Sequence, residues 1–296
     1  MFVASMCILG LVAFLALFWV AWVEPRSLRI VRYQTQLRNL SSPFRAIVVA
    51  DIQPNAYHWP ASRLKSVFKD VNTAENPDFV FWLGDYFNAP TDKMKELFDR
   101  QRTLRRWVDA HLPRMRDIAE AMAELRGRVA TIAVLGNHDW AWSGASTQRR
   151  LEEFGIRVLK DEIVNAVDPQ SGQSIAIVGY EDVSSGRVPN FAVLHSKLDN
   201  NQPQIALSHS PDAFQMSEDG PPIMISGHTH GGQIRLPLFG PILLPVKNRE
   251  FDRGWFVRGS RMLFVSSGLG TSLPPVRLLC PPEIVVIDFV PEDEVD

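Results

Sequence analysis

Little in this chain points to covalent cross-linking or to a polyanionic partner. Cysteine occurs only twice in 296 residues, at Cys7 and Cys280. That pair offers neither a disulfide framework nor zinc-finger spacing, so cysteine usage does not identify the redox compartment. An excess of one charge is missing as well. The 31 Lys and Arg against 33 Asp and Glu leave a formal net charge of −2, without the basic footprint of a nucleic-acid binder. No internal repeat or low-complexity segment interrupts the pattern. Charge is absent from one long stretch, Phe2–Val23, which is dominated by Phe, Leu, Val, Ala and Trp.

About 20 apolar residues cross a bilayer as a helix, and Phe2–Val23 is long enough. A secretory signal calls for a basic leading region and a small-residue cleavage site. Only Met1 precedes the run, and its far end reads Val20-Ala21-Trp22-Val23-Glu24-Pro25. The expectation is an uncleaved single-pass anchor over residues 1–23. Trp19 and Trp22 suit an interfacial aromatic belt, and Arg26, Arg29 and Arg32 bias the following domain toward the cytoplasm.

Residues 24–43 read as a linker with an edge strand, closed by the turn Ser41-Ser42-Pro43. From 44 to 290, strand-like runs alternate with helical stretches, the pattern of βαβ units. Helices are expected over Arg63–Val71 and Gly144–Phe154, with a longer one over Asp92–Arg126 kinked at Pro113. Ile156–Val167, Ile175–Tyr180, Met262–Ser266 and Ile284–Phe289 are β-rich, and residues 291–296 form an acidic tail.

Within this frame, five apolar runs end abruptly in a polar residue able to bind a metal. Ala46–Ala50 runs into Asp51 and Gln53, Phe79–Leu83 into Gly84-Asp85, and Val129–Leu135 into Gly136-Asn137-His138-Asp139. Ile205–Leu207 leads to Ser208-His209, and Ile223–Ile225 to Gly227-His228-Thr229-His230. Buried strands read as continuous apolar runs, and open α/β sheets bind ligands beyond the strand carboxyl ends. One such ending carries little information, since Gly-Asp is a common strand cap and a single His is commonly a core residue. Five together point to one polynuclear metal site assembled from distant parts of the chain.

These motifs, in this order, resemble the signature of calcineurin-like metallophosphoesterases over essentially all of Phe44–Phe289. Gly227–Gln233, with Ser267-Gly268-Leu269-Gly270-Thr271 and Pro275-Val276-Arg277, is similar to the membrane-associated bacterial branch. That branch includes phosphodiesterases and enzymes proposed to cleave UDP-2,3-diacylglucosamine. The resemblance implies an α/β four-layer sandwich of two mixed β-sheets flanked by helices. It implies hydrolysis of a phosphodiester or pyrophosphate bond at two divalent ions, Mn2+ foremost with Mg2+, Fe or Zn2+ as alternatives, through a bridging hydroxide. Asp51, Gln53, Asp85 and His230 would hold one ion, and Asp85, Asn137, His209 and His228 the other. His138 would protonate the leaving group or stabilise the developing charge, with Asp139 orienting its ring. Gln53 departs from the usual histidine, and an oxygen there favours harder cations. A Gln at this place also resembles manganese-dependent diphosphatases of the same superfamily.

Substrate contacts are expected from Trp140 and Trp142 by stacking and from Arg235 and Arg277 by pairing with a second phosphate. Leu236–Pro245, apolar for a loop, is a candidate contact for lipid or acyl chains. Such an enzyme would act on a phosphate ester or a nucleotide-diphospho-lipid at the membrane. The competing expectation is a catalytically inactive scaffold that uses the same fold for protein contacts.

Overall fold

A computed structural model describes residues 2–87 and 114–292, with side chains from Ser5 onward. Two six-stranded mixed sheets stack face to face. The first contains β1 (Arg29–Gln36), β2 (Phe44–Val49), β3 (Phe79–Trp82), β4 (Ala130–Ala133) and β5 (Arg157–Val158). The second contains β6 (Glu162–Val167), β7 (Ser174–Gly179), β8 (Gln204–Ser208) and β9 (Ile223–Ser226). A small separate hairpin, β10 (Arg235–Leu236) with β11 (Gly240–Pro241), precedes β12 (Gly254–Arg258) and β13 (Arg261–Val265) of the second sheet. The last strand, β14 (Glu283–Val290), returns to the first sheet between β1 and β2.

Alternation along each strand builds the layers, because successive side chains face opposite sides. Ile47, Val49, Val80, Trp82 and Ala133 face the helices α2 (Ala61–Glu75) and α3 (Met115–Met122). Their neighbours Ala46, Val48, Phe79, Phe81 and Ile132 face the second sheet, meeting Ile177, Ile205, Leu207, Ile225 and Phe264. The outer face of the second sheet, Val178, Ala206, Met224 and Leu263, packs on Leu194, Phe214 and Phe251. Helix, sheet, sheet and helix make the four layers.

Three expectations shift in detail. The helix read from Gly144 begins at Asn137 and runs to Glu153 as α4, bent at Ser143. Its first turn contains the polar run Asn137–Asp139, whose Asp139 carboxylate accepts the Gly136 N–H and caps the start. The β-rich span 156–167 divides at Asp161, sending β5 to the first sheet and β6 to the second. Of the expected helix over Asp92–Arg126, the part through Pro113 lies outside the described residues, and the remainder is α3.

The N-terminal helix α1 (Phe2–Phe18), continued by one wide turn over Trp19–Val23, exposes its side chains from Ser5 to Trp19 within the candidate span Ser5–Arg26. Its exit is fastened to the domain. The His58 ring Nε2 donates to the Ala21 carbonyl at 2.8 Å, and Trp59 Nε1–H donates to Pro25 at 3.0 Å. Arg277 N–H donates to the Val20 carbonyl at 3.0 Å, and Cys280 N–H to the buried Glu24 carboxylate at 2.6 Å.

Candidate metal centre

Strands β2, β3 and β4 are parallel, as are β8 and β9, so their carboxyl ends open at common rims. Asp51, Asp85, Asn137, His209 and His228 therefore leave the two sheets beside one another. The rims are stitched together. His228 N–H donates to Asp51 Oδ2 at 2.9 Å across 177 residues of sequence, and Gln53 N–H donates to the Asp85 carbonyl at 3.1 Å.

Backbone conformation concentrates at these positions. Asp51, Gln53, Asp85, His228 and His230 all have positive φ, between 29° and 71°. Non-glycine residues there cost on the order of 1–3 kcal/mol each and persist only where the surroundings over-determine them. Glycine is required where the two rim loops touch: a Cβ on Gly84 would sit 2.5 Å from Gly136 N, at a φ of +92°.

Asp85 is the hub. Its Oδ2 lies 3.4 Å from His209 Nε2 and accepts from Gln53 Nε2 at 3.0 Å, and its Oδ1 accepts from His138 N–H at 2.8 Å. Asn137 Oδ1 is 3.2 Å from His209 Nε2. His230 Nε2 stands 3.7 Å from Asp51 Oδ1, and its buried Nδ1 has no hydrogen-bond partner among the described residues. Ligand atoms of Asp85, His209 and His228 all lie within 4.8 Å of one another.

The ring orientations test whether a cation fits. His209 Nδ1 faces the Leu83 carbonyl at 2.7 Å, and His228 Nε2 faces the Pro245 carbonyl at 2.9 Å. Carbonyls only accept, so each of those nitrogens carries its ring's proton. The remaining nitrogens, His209 Nε2 and His228 Nδ1, then point lone pairs at each other across 3.0 Å beside the Asp85 carboxylate. Two such lone pairs repel unless a proton or a cation lies between them, and carbonyl-oriented imidazoles are the usual outer support of a metal ligand. The donor set fits a divalent ion.

Electrostatics agree. Burial works against charge on His209, yet the Asp85 carboxylate raises it well above its ordinary value. Burial would likewise raise Asp85, but His209 and His138 outweigh it and hold the carboxyl far below the usual range. Asp51 is pushed up to about 7 by burial, and His228 down to about 4 by burial and by His209. Desolvation followed by the nearby Arg277 charge lowers His230 well below its ordinary value. Perturbed groups clustered in this way mark functional sites.

Several expectations change. Asp139 is buried, and its carboxylate accepts three backbone N–H groups, from Asp85, Tyr86 and Gly136. It clamps the two strand-end loops together instead of serving as the expected orienter of the His138 ring. Arg277 does not face substrate. It is fully buried, and its guanidinium donates to the carbonyls of Ser267, Gly268, Gly270 and Cys280. The Pro-rich turn before it folds the arginine inward under the loop that supports Asp51. Arg235 is tied to Asp252 Oδ2 at 2.8 Å and to the Gly231 carbonyl at 2.7 Å. Trp140 is half-buried against the core, and Arg187 covers its ring at 3.6 Å, so that face is not open to a base. Trp142 is exposed.

One residue escaped the strand-end reading although it obeys the same rule. The run Ile175–Tyr180 leads to Asp182, which is fully buried and acts electrostatically on both His209 and His228.

Comparison with known proteins agrees with this geometry. A family model described as calcineurin-like phosphoesterase matches residues 44–232. The chain is 28% identical over 244 residues to the uncharacterized metallophosphoesterase YkuE of Bacillus subtilis, covering 82% of this chain and 78% of that one. It is 26% identical over 277 residues to the phosphodiesterase YaeI of Escherichia coli, and 25% identical over 311 residues to the UDP-2,3-diacylglucosamine pyrophosphatase LpxG of Chlamydia trachomatis. Each of these two alignments covers 91% of both partners. With more than half of the chain matched and all five strand ends inside the matched region, the chain belongs to the calcineurin-like phosphoesterase family, whose members hydrolyse phosphoric ester bonds.

Proposed function

We propose that this protein is a membrane-anchored hydrolase that cleaves a phosphodiester or pyrophosphate bond at a pair of divalent ions, with a nucleotide-diphospho-lipid as the favoured substrate class. The observation that carries the reading is the pair of imidazole nitrogens held 3.0 Å apart beside Asp85, each ring locked by a carbonyl behind it. Asp51, Gln53, Asp85 and His230 would hold one ion, and Asp85, Asn137, His209 and His228 the other. The Gln53 amide, which now turns its nitrogen to Asp85, would present its oxygen instead, favouring Mn2+ or Mg2+ over softer ions. Bound there, two dications supply a water nucleophile near neutral pH and neutralise charge on the phosphoryl oxygens.

The chain's own groups do the rest. Asp85 bridges the two halves of the site, and the carbonyls of Leu83 and Pro245 keep the His209 and His228 rings aimed inward. His138, whose Nε2 stands 3.9 Å from Asp85 Oδ2, would give a proton to the leaving oxygen. Asp139 holds the loops that carry Asp85 and His138 in register. The N-terminal segment would anchor this domain at the membrane, with the domain on the cytoplasmic side. The relative LpxG, named for a lipid-linked pyrophosphate, supports that substrate class.

The test is hydrolysis of bis-p-nitrophenyl phosphate by purified protein with added Mn2+, together with metal content by elemental analysis and a screen of nucleotide-diphospho-lipids. Activity that is lost in Asp85→Asn, with about two ions per chain in wild type, is the expected result. A protein that binds no metal and turns over nothing with any divalent ion refutes the proposal and favours a scaffold.

A further inference from the structure

Beside the metal centre lies a surface that the hydrolytic reading does not use. A cavity of about 420 Å3 is lined by Thr229, His230, Ile242, Leu243, Pro245 and Leu273 among others. Its outer lip continues into the β10–β11 hairpin. At the hairpin tip, Leu238 is 102% exposed and Phe239 85%, and Leu243 beyond it is 75% exposed. Leu273 and Leu279 are exposed on the neighbouring loop. Apolar side chains projected this far into water, with Leu243 and Leu273 sharing the cavity wall, mark an interaction surface.

The backbone says what covers it. The hairpin is bound to the 277–280 segment, since Arg235 N–H donates to the Leu278 carbonyl at 2.9 Å and Leu278 N–H to the Gln233 carbonyl at 3.0 Å. That same segment grips the exit of the apolar N-terminal helix through Arg277 N–H to Val20 and Cys280 N–H to Glu24. Two hydrogen-bonded steps thus join the protruding leucines to the point where the helix ends its apolar run. Trp19 and Trp22 are exposed at that level, where indoles settle at membrane interfaces. Lys247 and Arg249 are exposed just beyond the lip, complementary to anionic headgroups.

We propose that Leu236–Leu243, with Leu273 and Leu279, forms a second membrane contact seated in the leaflet that the N-terminal helix leaves, so that the cavity lined by His230 opens to acyl chains. The inference rests on the anchored-hydrolase reading and specifies how a lipid-linked phosphate reaches the site without leaving the bilayer. The partner is the bilayer itself. The apolar tip enters the headgroup region, and the chains of a substrate slide along the cavity wall.

The experiment uses the full chain in nanodiscs of phosphatidylcholine and phosphatidylglycerol. Leu238→Cys, combined with Cys7→Ser, is labelled with nitrobenzoxadiazole, while buried Cys280 stays in place. Ser171→Cys, on the exposed β6–β7 turn, serves as the control position. Strong quenching by acyl-brominated lipid and shielding from aqueous iodide at position 238 alone are expected. Equal iodide quenching at both positions overturns the contact, and shielding from iodide without bromolipid quenching assigns the surface to a protein instead. In parallel, Leu238→Glu with Phe239→Glu should leave bis-p-nitrophenyl phosphate hydrolysis unchanged. Turnover of a bilayer-embedded diphospho-lipid should fall about tenfold or more, because two large apolar side chains no longer enter the membrane. The label reads the contact whether or not the protein hydrolyses anything, so failure of this inference and failure of the catalytic reading give different results.

Discussion

Replacing Arg277 separates a structural role from a substrate role. Its fully buried guanidinium serves four carbonyl oxygens, those of Ser267, Gly268, Gly270 and Cys280. Arg277→Ala leaves these acceptors unsatisfied. A buried polar group without its partner costs about 1–3 kcal/mol, but the four share one cavity that water can partly fill, so the costs do not add in full. Breaking a buried charged network by removing one member typically costs about 3–5 kcal/mol. At about 2–4 °C per kcal/mol for larger domains, Tm should fall by roughly 6–20 °C.

The supported loop also contacts Asp51, since Leu269 N–H donates to the Ala50 carbonyl and Gly270 N–H to that of Asp51. Divalent-metal affinity should therefore weaken along with stability. Differential scanning calorimetry of the metal-free and Mn2+-loaded protein reads both effects. Arg277→Lys, which keeps charge but loses the planar fork, should lie between wild type and Arg277→Ala. An unchanged Tm in Arg277→Ala with a raised KM would show that the arginine faces substrate and that the buried placement is wrong.

Gln53→His should retain hydrolysis while shifting preference from Mn2+ or Mg2+ toward Zn2+, read from metal-dependent activity and competitive metal loading; loss of all metal binding would refute ligation through this position. Burial pushes Asp51 from an ordinary value near 3.8 up to about 7, so the metal-free folded protein holds more protons than the unfolded chain across that window. Its stability should accordingly fall as pH rises through the window, while apparent metal affinity rises because the cation must displace the proton. Titration calorimetry at pH 6 in buffers of different ionisation heat should detect proton release, and buffer-independent heats would contradict it. Glu24→Ala removes the acceptor of the Cys280 N–H and of Trp19 Nε1–H. It should cost about 1–3 kcal/mol and speed proteolysis near Ser27, whereas protection equal to wild type would mean that the helix exit is not held by these bonds.

Much of this molecule is legible in one dimension. Apolar runs such as Phe79–Leu83 can become strands buried on both faces, and a polar residue at the end of each falls at a sheet rim. For that reason Asp51, Asp85, Asn137, His209 and His228 are legible from sequence as rim residues. The charge-free run Phe2–Val23 is equally legible as one apolar helix long enough to cross a membrane. Tertiary structure decided what linear order does not encode. Five of the seven proposed ligands sit at positive φ, a conformation imposed by contacts between loops far apart in sequence. Arg277 and Arg235 read alike in sequence as contacts to a second phosphate. Burial and carbonyl acceptors make the first a brace, while Asp252 holds the second. Asp139 follows His138 in sequence but clamps backbone amides, since a helix start directs the third residue's carboxylate back to the cap. Local pattern determines which residues reach the rim; only the packing of two sheets determines what each one meets there.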